Sequence, residues 1–164
     1  MDIFHTALIL SAFLCSLVAG FLFAYAVVVM PGLKNLGDRE FISAFQVTDR
    51  VIQNNQPLFM LVWVGSVIAT VVLAFYGFSA LQGVDLYILS LAVLAYIVGV
   101  QATTVTIHLP LNNKLQTLNV DNMNDSDITM ARNVFESRWN RFNIMRTAIA
   151  SLVSVLLLTL LLRQ

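Results

Sequence analysis

The sequence predicts an all-α membrane protein, a four-transmembrane-helix bundle with two short amphipathic helices on the cytoplasmic side. Of its 164 residues, 59% are hydrophobic and only 11% are charged, whereas about a quarter of the residues in an ordinary soluble domain are charged. Four apolar stretches each exceed the ~20 residues that a helix needs to cross a bilayer. Because lipid offers no partner to unpaired backbone groups, each stretch is expected to be helical. The expected spans cover residues 4–30, 57–80, 86–109 and about 142–162.

Positive charges divide unevenly between the two ends of these spans. The N terminus, the 81–85 turn and the C terminus fall on one side, which carries Arg163 alone. Cytoplasmic segments carry an excess of Lys and Arg, so we expect an integral protein of a bacterial inner membrane, with both termini outside and the long connections cytoplasmic. Acidic residues balance the cations, so no nucleic-acid partner is expected. The cationic side carries Lys34, Arg39, Arg50, Lys114, Arg132, Arg138, Arg141 and Arg146.

Two prolines mark the cytoplasmic ends of the first and third spans. VVVMPGLKNL at 27–36 and TIHLPLNNKL at 106–115 both place a proline where an apolar stretch gives way to polar residues. Proline removes a backbone donor and clashes with the preceding turn. We therefore expect Pro31 and Pro110 to end their helices.

A single domain over residues 1–164 is expected, and its two halves follow a similar plan. A polar connection with an amphipathic helix follows each proline, over about 38–54 and about 126–138. Two parallel half-repeats, 1–80 and 81–164, fit this pattern as well as unrelated helix ends do. The inner face of the first amphipathic helix is expected to carry Phe41, Phe45, Thr48 and Ile52.

Small residues recur every fourth position on two of the spans. Such residues let helix backbones approach closely in lipid, which predicts a compact bundle. The first span carries Ala12, Ser16, Gly20 and Ala24, and the third carries Ala95, Gly99 and Thr103.

Polar side chains gather at the cytoplasmic ends of the spans. Gln101, Thr104 and His108 share one face of the third span, and Arg146 lies about one turn inside the fourth. An ionisable residue within a span is by default a candidate site. We therefore predict a shared polar pocket around His108 and Arg146. Its other expected members are Asn54, Asn55, Asn112, Asn113, Trp139, Phe142 and Asn143.

Each of these residues also has a simpler interpretation. His108 could lie in the headgroup layer with a hydrated ring, and Arg146 could extend to the surface along its own stem. Asn112 and Asn113 could be turn residues. Trp139 could be an ordinary interfacial anchor.

The residues that bind metals are too few and too scattered for a metal site. His5 and His108 belong to opposite ends of their spans, roughly 30 Å apart by helix rise, and Cys15 is the only cysteine. A tight metal site needs three or four convergent ligands. The sequence therefore predicts no metal site, and a haem with one histidine ligand is the only arrangement left open.

Four segments resemble the anthrone oxygenase family, a group of small four-span membrane proteins. They are GFLFAYAVVVMPGL at 20–33, FQVTDRVIQNNQPLFM at 45–60, LPLNNKL at 109–115 and WNRFNIMRT at 139–147. They follow the family's order along nearly the whole chain, and the LNN and W…N..RT motifs are the most specific. The resemblance implies an oxygenase that converts an anthrone to an anthraquinone with O₂. It also implies that neither metal nor flavin is needed, so no cofactor is expected.

The resemblance assigns roles to the polar residues. His108 would be the base, since imidazole titrates near pH 6.5, and Arg146 with nearby amides would stabilise an enolate or phenolate oxygen. Trp139 and Phe142 would stack on the ring system. The catalytic set is then His108, Arg146, Asn112 and Asn143. The substrate-binding set is Asn54, Asn55, Gln101, Thr104, Asn113, Trp139 and Phe142.

A second interpretation involves no catalysis. The chain could be a non-enzymatic membrane protein that binds a small apolar ligand or stabilises a membrane complex, and it could form a homo-oligomer. The nearly uncharged centres of the spans argue against ion-coupled transport. A scaffold would not require Gln101, Thr104 and His108 to line one face, so binding of a lipophilic small molecule is expected over a purely structural role.

Overall fold

The computed structural model describes residues 2–164, and within that range all regular structure is helical. Four helices are long and apolar enough to cross a membrane, which confirms the predicted fold class. The helices are α1 (Ile3–Leu33), α2 (Asp38–Gln53), α3 (Pro57–Ala80), α4 (Gly83–Gln116) and α5 (Asp125–Arg163). One turn of 3₁₀ helix, Val120–Asn122, lies between α4 and α5.

The bundle is organised around α1, which packs against α3 on one side and α5 on the other, while α4 packs against α5. The core of the spans is apolar and includes Leu8, Leu22, Leu73, Leu89, Tyr96 and Leu157. The amphipathic helix α2 packs against α5 and against the C-terminal end of α4. A second cluster, rich in aromatic rings, forms there and includes Phe41, Phe45, Phe135 and Trp139.

Pro31 and Pro110 do not end their helices, so that prediction is wrong. Each proline is the second residue of an α-helical turn that directly follows a π-helical turn, Tyr25–Val29 in α1 and Thr104–His108 in α4. A π turn holds an additional residue, which opens the backbone ahead of the proline and relieves the clash of its ring with the preceding turn. Both helices therefore continue beyond their prolines.

The second amphipathic segment also differs from its prediction. Residues 126–138 are the first part of α5, which continues without a break into the fourth span. The sequence of α5 holds no Gly or Pro that would interrupt it. Asn124 caps the start of this helix, since its side chain accepts a hydrogen bond from the Asp127 backbone N–H.

The buried face of α2 is rotated from the predicted one. Thr48 is exposed, and its hydroxyl donates to the Ala44 carbonyl within the same helix. The buried residues of α2 are Phe41, Ile42, Phe45, Gln46 and Asp49. Two polar side chains therefore face the bundle from a helix whose inner face was expected to be mainly apolar.

Arg132 on α5 fastens the connection between α1 and α2. Its Nη2 donates to the Lys34 carbonyl at 2.9 Å, and its Nη1 donates to the Leu36 carbonyl at 2.8 Å and to Asp38 at 2.9 Å. Hydrogen bonds from the Thr129 hydroxyl and from Arg132 lower the pKa of Asp38 from its usual value. The Asp38 carboxylate is therefore ionised at neutral pH and helps to hold the start of α2 against α5.

The small residues of α4 and α1 have different surroundings. A Cβ atom at Gly99 would lie 2.8 Å from Cγ2 of Ile149, so α4 and α5 approach closely there. Gly20 and Ala24 of α1 are exposed instead. Positions four residues apart rotate by about 40° per step around a helix, so four such positions turn through roughly 120° and cannot all face one neighbour.

Gly99→Ala is expected to lower the free energy of unfolding by about 1–3 kcal/mol, because the new methyl group forces Ile149 to move. Gly20→Ala is the matched control, since a Cβ there meets no atom within 4 Å. That change is expected to be neutral or slightly stabilising, because alanine is preferred to glycine within helices. Thermal unfolding in one detergent compares the two, and equal midpoints would contradict the close approach of α4 and α5.

Candidate functional site

His108, Trp139 and Arg146 lie together inside the end of the bundle against which α2 packs. Their exposed fractions are 2%, 3% and 5%. The His108 ring meets the Trp139 ring edge to face, with centroids 5.1 Å apart and an interplanar angle of 89°. The Arg146 guanidinium carbon lies 5.6 Å from the Trp139 ring centroid. This burial excludes a hydrated His108 and an Arg146 that extends to the surface.

Neutral acceptors hold the Arg146 guanidinium. Its Nε donates to Asn143 Oδ1 and its Nη1 donates to Thr104 Oγ1, both at 3.1 Å. Asn143 in turn donates from Nδ2 to the Leu22 carbonyl of α1, at 3.3 Å. Among residues 2–164, no carboxylate lies within salt-bridge distance of Arg146. Its positive charge is therefore not neutralised by a side chain of the described chain.

His108 has an unusual environment for a buried imidazole. Neither ring nitrogen makes a hydrogen bond of good geometry in the part of the chain that the structure describes, although the Phe142 backbone carbonyl lies near the ring. Burying a polar group without a partner costs free energy. The stability of the fold therefore does not explain why His108 is buried here. Whichever tautomer is present, one ring nitrogen keeps a free lone pair that can accept a proton. Gln101, on the same helix, also has a buried and unpartnered Nε2.

A buried carboxylate is connected to Trp139 by hydrogen bonds. Asp49 of α2 is 4% exposed and accepts hydrogen bonds from Asn112 Nδ2 at 2.7 Å, Gln53 Nε2 at 2.7 Å and Gln116 Nε2 at 3.0 Å. Asn112 Oδ1 accepts from Trp139 Nε1 at 3.0 Å. The carboxylate is thus linked to Trp139 through one asparagine, and all three donors are neutral amides.

Sequence patterns did not point to Asp49 as part of the site. Its position gave one usable signal, because Asp49 follows Phe45 by four residues and therefore lies on the same face of α2. Tyr25 was missed as well. Its ring lies 5.7 Å from that of Trp139 and belongs to the π turn of α1, which the sequence did not predict.

Four of the expected residues lie outside this buried cluster. Asn54 and Asn55 are exposed in the connection between α2 and α3, and Asn55 has a φ of 57°, which asparagine tolerates better than most residues. Asn113 is exposed and accepts a hydrogen bond from Gln53 at 3.2 Å. Phe142 is half-buried on α5.

The two histidines are well separated. His5 lies at the first turn of α1, where its Nδ1 is 2.8 Å from Asp2 Oδ1, whereas His108 belongs to the far end of α4. Across the described range, no three His, Cys, Asp or Glu side chains come together as metal ligands would.

Aromatic rings connect the cluster with the outer surface of the bundle. A groove of about 270 Å³ lies between α1 and α3 and is lined by Leu17, Val18, Phe21, Leu58, Phe59, Val62 and Trp63. Phe59 and Trp63 stack with centroids 5.4 Å apart, and the Phe21 ring contacts both. Phe21 lies 4.9 Å from Tyr25, which in turn contacts Trp139. A series of rings therefore runs from a surface that would face lipid to His108.

His108→Leu is expected to leave the free energy of unfolding within about 1 kcal/mol of the wild-type value or to raise it, because no hydrogen bond is lost. The comparison is Tyr96→Phe, which removes a hydroxyl 2.5 Å from Ser66 Oγ and is expected to cost about 0.6 kcal/mol. Thermal unfolding in one detergent measures both. A loss for His108→Leu that exceeds both about 1 kcal/mol and the loss for Tyr96→Phe would assign His108 a structural role.

One of three comparisons with known proteins gave a match, and it agrees with the family resemblance noted in the sequence. Curated proteins and solved structures gave no match. The family model described as anthrone oxygenase matches residues 59–156, which is more than half of the chain. The matched range covers most of α3, all of α4 and most of α5, and it includes His108, Trp139 and Arg146. The chain belongs to the anthrone oxygenase family.

Proposed function

We propose that this protein is a cofactor-independent, oxygenase-like membrane enzyme that acts on a lipophilic polycyclic aromatic of the anthrone type. Family membership supports the class of reaction. The observation that carries the proposal is a buried His108 with both ring nitrogens unpartnered, in a cluster with a buried Arg146 that has no carboxylate partner in the described chain. A ligand with an acidic C–H bond and a developing oxyanion would use both groups.

His108 begins the proposed reaction by accepting a proton from the central CH₂ carbon of the anthrone. The electron pair delocalises onto the ketone oxygen, and Arg146 stabilises the resulting phenolate-like anion. The anion gives one electron to O₂ and combines with the superoxide so formed. The peroxide takes back the proton, and the hydroperoxide then loses water. One anthrone and one O₂ thus become one anthraquinone and one water.

The residues around this pair would orient the substrate. Asn143 and Thr104 hold the Arg146 guanidinium, and Asn112 sets the Trp139 indole, which offers an aromatic surface to a flat ring system. The Gln101 side chain lies beside the Tyr96 hydroxyl, and its buried Nε2 would donate to a ligand. The exposed side chains of Asn54, Asn55 and Asn113, and the half-buried Phe142, would contact only a ligand that extends toward the cytoplasmic surface.

The lipophilic class of the substrate is supported by the surroundings of the cluster. A flat aromatic molecule partitions into the bilayer, and the groove beside Phe59 and Trp63 presents stacked rings to that solvent. The rings of Phe21 and Tyr25 continue inward from there. The same groove is what favours the second candidate, a non-enzymatic protein that binds a small apolar ligand.

Oxygen uptake by the purified protein with a panel of anthrones tests the chemistry. His108→Asn is expected to lower kcat by about 10²–10⁴-fold through loss of the base, and Arg146→Gln by about 10²–10³-fold through loss of oxyanion stabilisation. The matched controls are His5→Asn, at the end of the bundle away from the cluster, and Arg141→Gln, at an exposed position of α5. Both controls are expected to keep the wild-type rate, and anthraquinone absorbance should rise with oxygen consumption.

Two outcomes would contradict this assignment. Uptake by His108→Asn at the wild-type rate would remove His108 as the base. Uptake at the uncatalysed rate by every protein, the wild type included, would favour the ligand-binding candidate.

We propose an inner-membrane location with both termini outside, supported by the excess of Lys and Arg at the other end of the spans. In a Cys15→Ala background, Gln82→Cys and Asn122→Cys place single exposed thiols at opposite ends of the bundle. A membrane-impermeant maleimide is expected to label Gln82→Cys in intact spheroplasts, and Asn122→Cys only after lysis. The reverse pattern would invert the orientation.

A further inference from the structure

We propose that Asp49 is a positioning residue of this site. Its carboxylate fixes the amide of Asn112, and Asn112 fixes the Trp139 indole against which His108 packs. The proposal rests on the proposed function for its effect on turnover, but its structural part can be tested separately.

The contacts of Asp49 require a carboxylate rather than any polar group. Three amide nitrogens, from Asn112, Gln53 and Gln116, donate to its two oxygens at 2.7–3.0 Å. A carboxylate only accepts hydrogen bonds, so it can satisfy all three donors, whereas an amide offers a single acceptor oxygen. No Lys or Arg pairs with Asp49 in the described chain. The Asp49 carboxylate therefore accepts hydrogen bonds from neutral amides and forms no salt bridge within the described chain.

These contacts fix which way the Asn112 amide points. Nδ2 faces the carboxylate of Asp49, which can only accept, and Oδ1 faces the Trp139 indole N–H, which can only donate. A flipped amide would set donor against donor on one side and acceptor against acceptor on the other. Asp49 thus determines that an oxygen meets the indole.

Trp139 contacts both of the groups that are proposed to react, so its orientation affects their positions. Its ring meets the His108 ring edge to face at 5.1 Å and lies 5.6 Å from the Arg146 guanidinium carbon. The bond to Asn112 is the one hydrogen bond that the structure gives to the indole N–H. Losing it would free the ring to tilt, and a tilt of the ring moves His108 relative to Arg146.

The docking of α2 does not depend on Asp49 alone. Gln46 Nε2 donates to the Leu115 and Leu118 carbonyls at 2.8 and 3.0 Å, and Gln116 Nε2 donates to the Gln46 carbonyl at 2.9 Å. The Phe45 ring packs on Trp139. Replacing Asp49 by a residue of the same shape should therefore leave α2 in place.

Asp49→Asn keeps the shape but leaves a single acceptor oxygen. That oxygen is expected to face Gln53 and Gln116, which both donate to Asp49 Oδ2, so the NH₂ group of the variant faces Asn112 Nδ2 and Asn112 loses its acceptor. The double variant Asp49→Asn with Gln116→Glu returns a carboxylate to the other side of the same contact. In this double variant Asn112 can donate to the amide oxygen at position 49. The amide nitrogen at position 49 can donate to the carboxylate at position 116. Asp121→Asn, at an exposed position between α4 and α5, controls for the loss of one negative charge.

Two measurements read the effect. The chain has two tryptophans, so ¹⁵N-labelled indoles give two N–H resonances, of which that of Trp63 is an internal reference. In Asp49→Asn the Trp139 N–H proton is expected to move upfield and exchange faster with water, because its hydrogen bond is lost. With an anthrone substrate, kcat is expected to fall about 10–100-fold through misplacement of His108, while KM changes less than about threefold.

The double variant is expected to return the resonance and kcat toward the wild-type values, short of full recovery because Gln116→Glu removes the hydrogen bond to the Gln46 carbonyl. Asp121→Asn is expected to change neither. A Trp139 resonance unmoved in Asp49→Asn would overturn the proposal, as would an unfolded Asp49→Asn protein, since Asp49 would then be needed for folding. If the wild type shows no turnover, the proposed function fails, and the resonance alone decides the role of Asp49. A normal kcat for Asp49→Asn beside an inactive His108→Asn would overturn the positioning role and leave the function intact.

Discussion

A polar group that is buried within a bilayer has to find its partner inside the protein, and this constraint organises the end of the bundle against which α2 packs. Asn143, Thr104 and the Leu22 carbonyl join three helices around the guanidinium of Arg146. Asp49 and its amides join α2 to α4 in the same way. The arrangement of the site and the packing of the helices therefore depend on the same hydrogen bonds.

His108 is the exception to this constraint, and the exception is informative. Its buried ring has contacts with Trp139 but no hydrogen bond within the described chain. Natural proteins tend to break local rules of stability at functional positions and to compensate elsewhere. Here the compensation comes from the apolar core of the spans and from the densely bonded contact between α2 and α4. An imidazole without a partner keeps a free lone pair, which the proposed base requires.

Two of the three π-helical segments in the described residues have a common effect on this site. They precede Pro31 and Pro110, and they hold Tyr25 and His108, two of the rings that surround Trp139. The additional residue of a π turn changes the direction of the side chains beyond it, and such turns are frequent at functional sites. The turns let α1 and α4 continue past proline, so that Asn112 and Gln116 can reach Asp49.

The sequence by itself determined the number and the approximate limits of the spans, because hydropathy and length are local properties of the chain. It also placed His108, Trp139 and Arg146 at one depth, because helix rise is regular. Only the tertiary structure decided that Asp49 turns inward, that Asn112 bridges it to Trp139, and that Asn54 and Asn55 stay outside the cluster. Those outcomes depend on contacts between residues far apart in the chain and on backbone turns that no residue pattern marks.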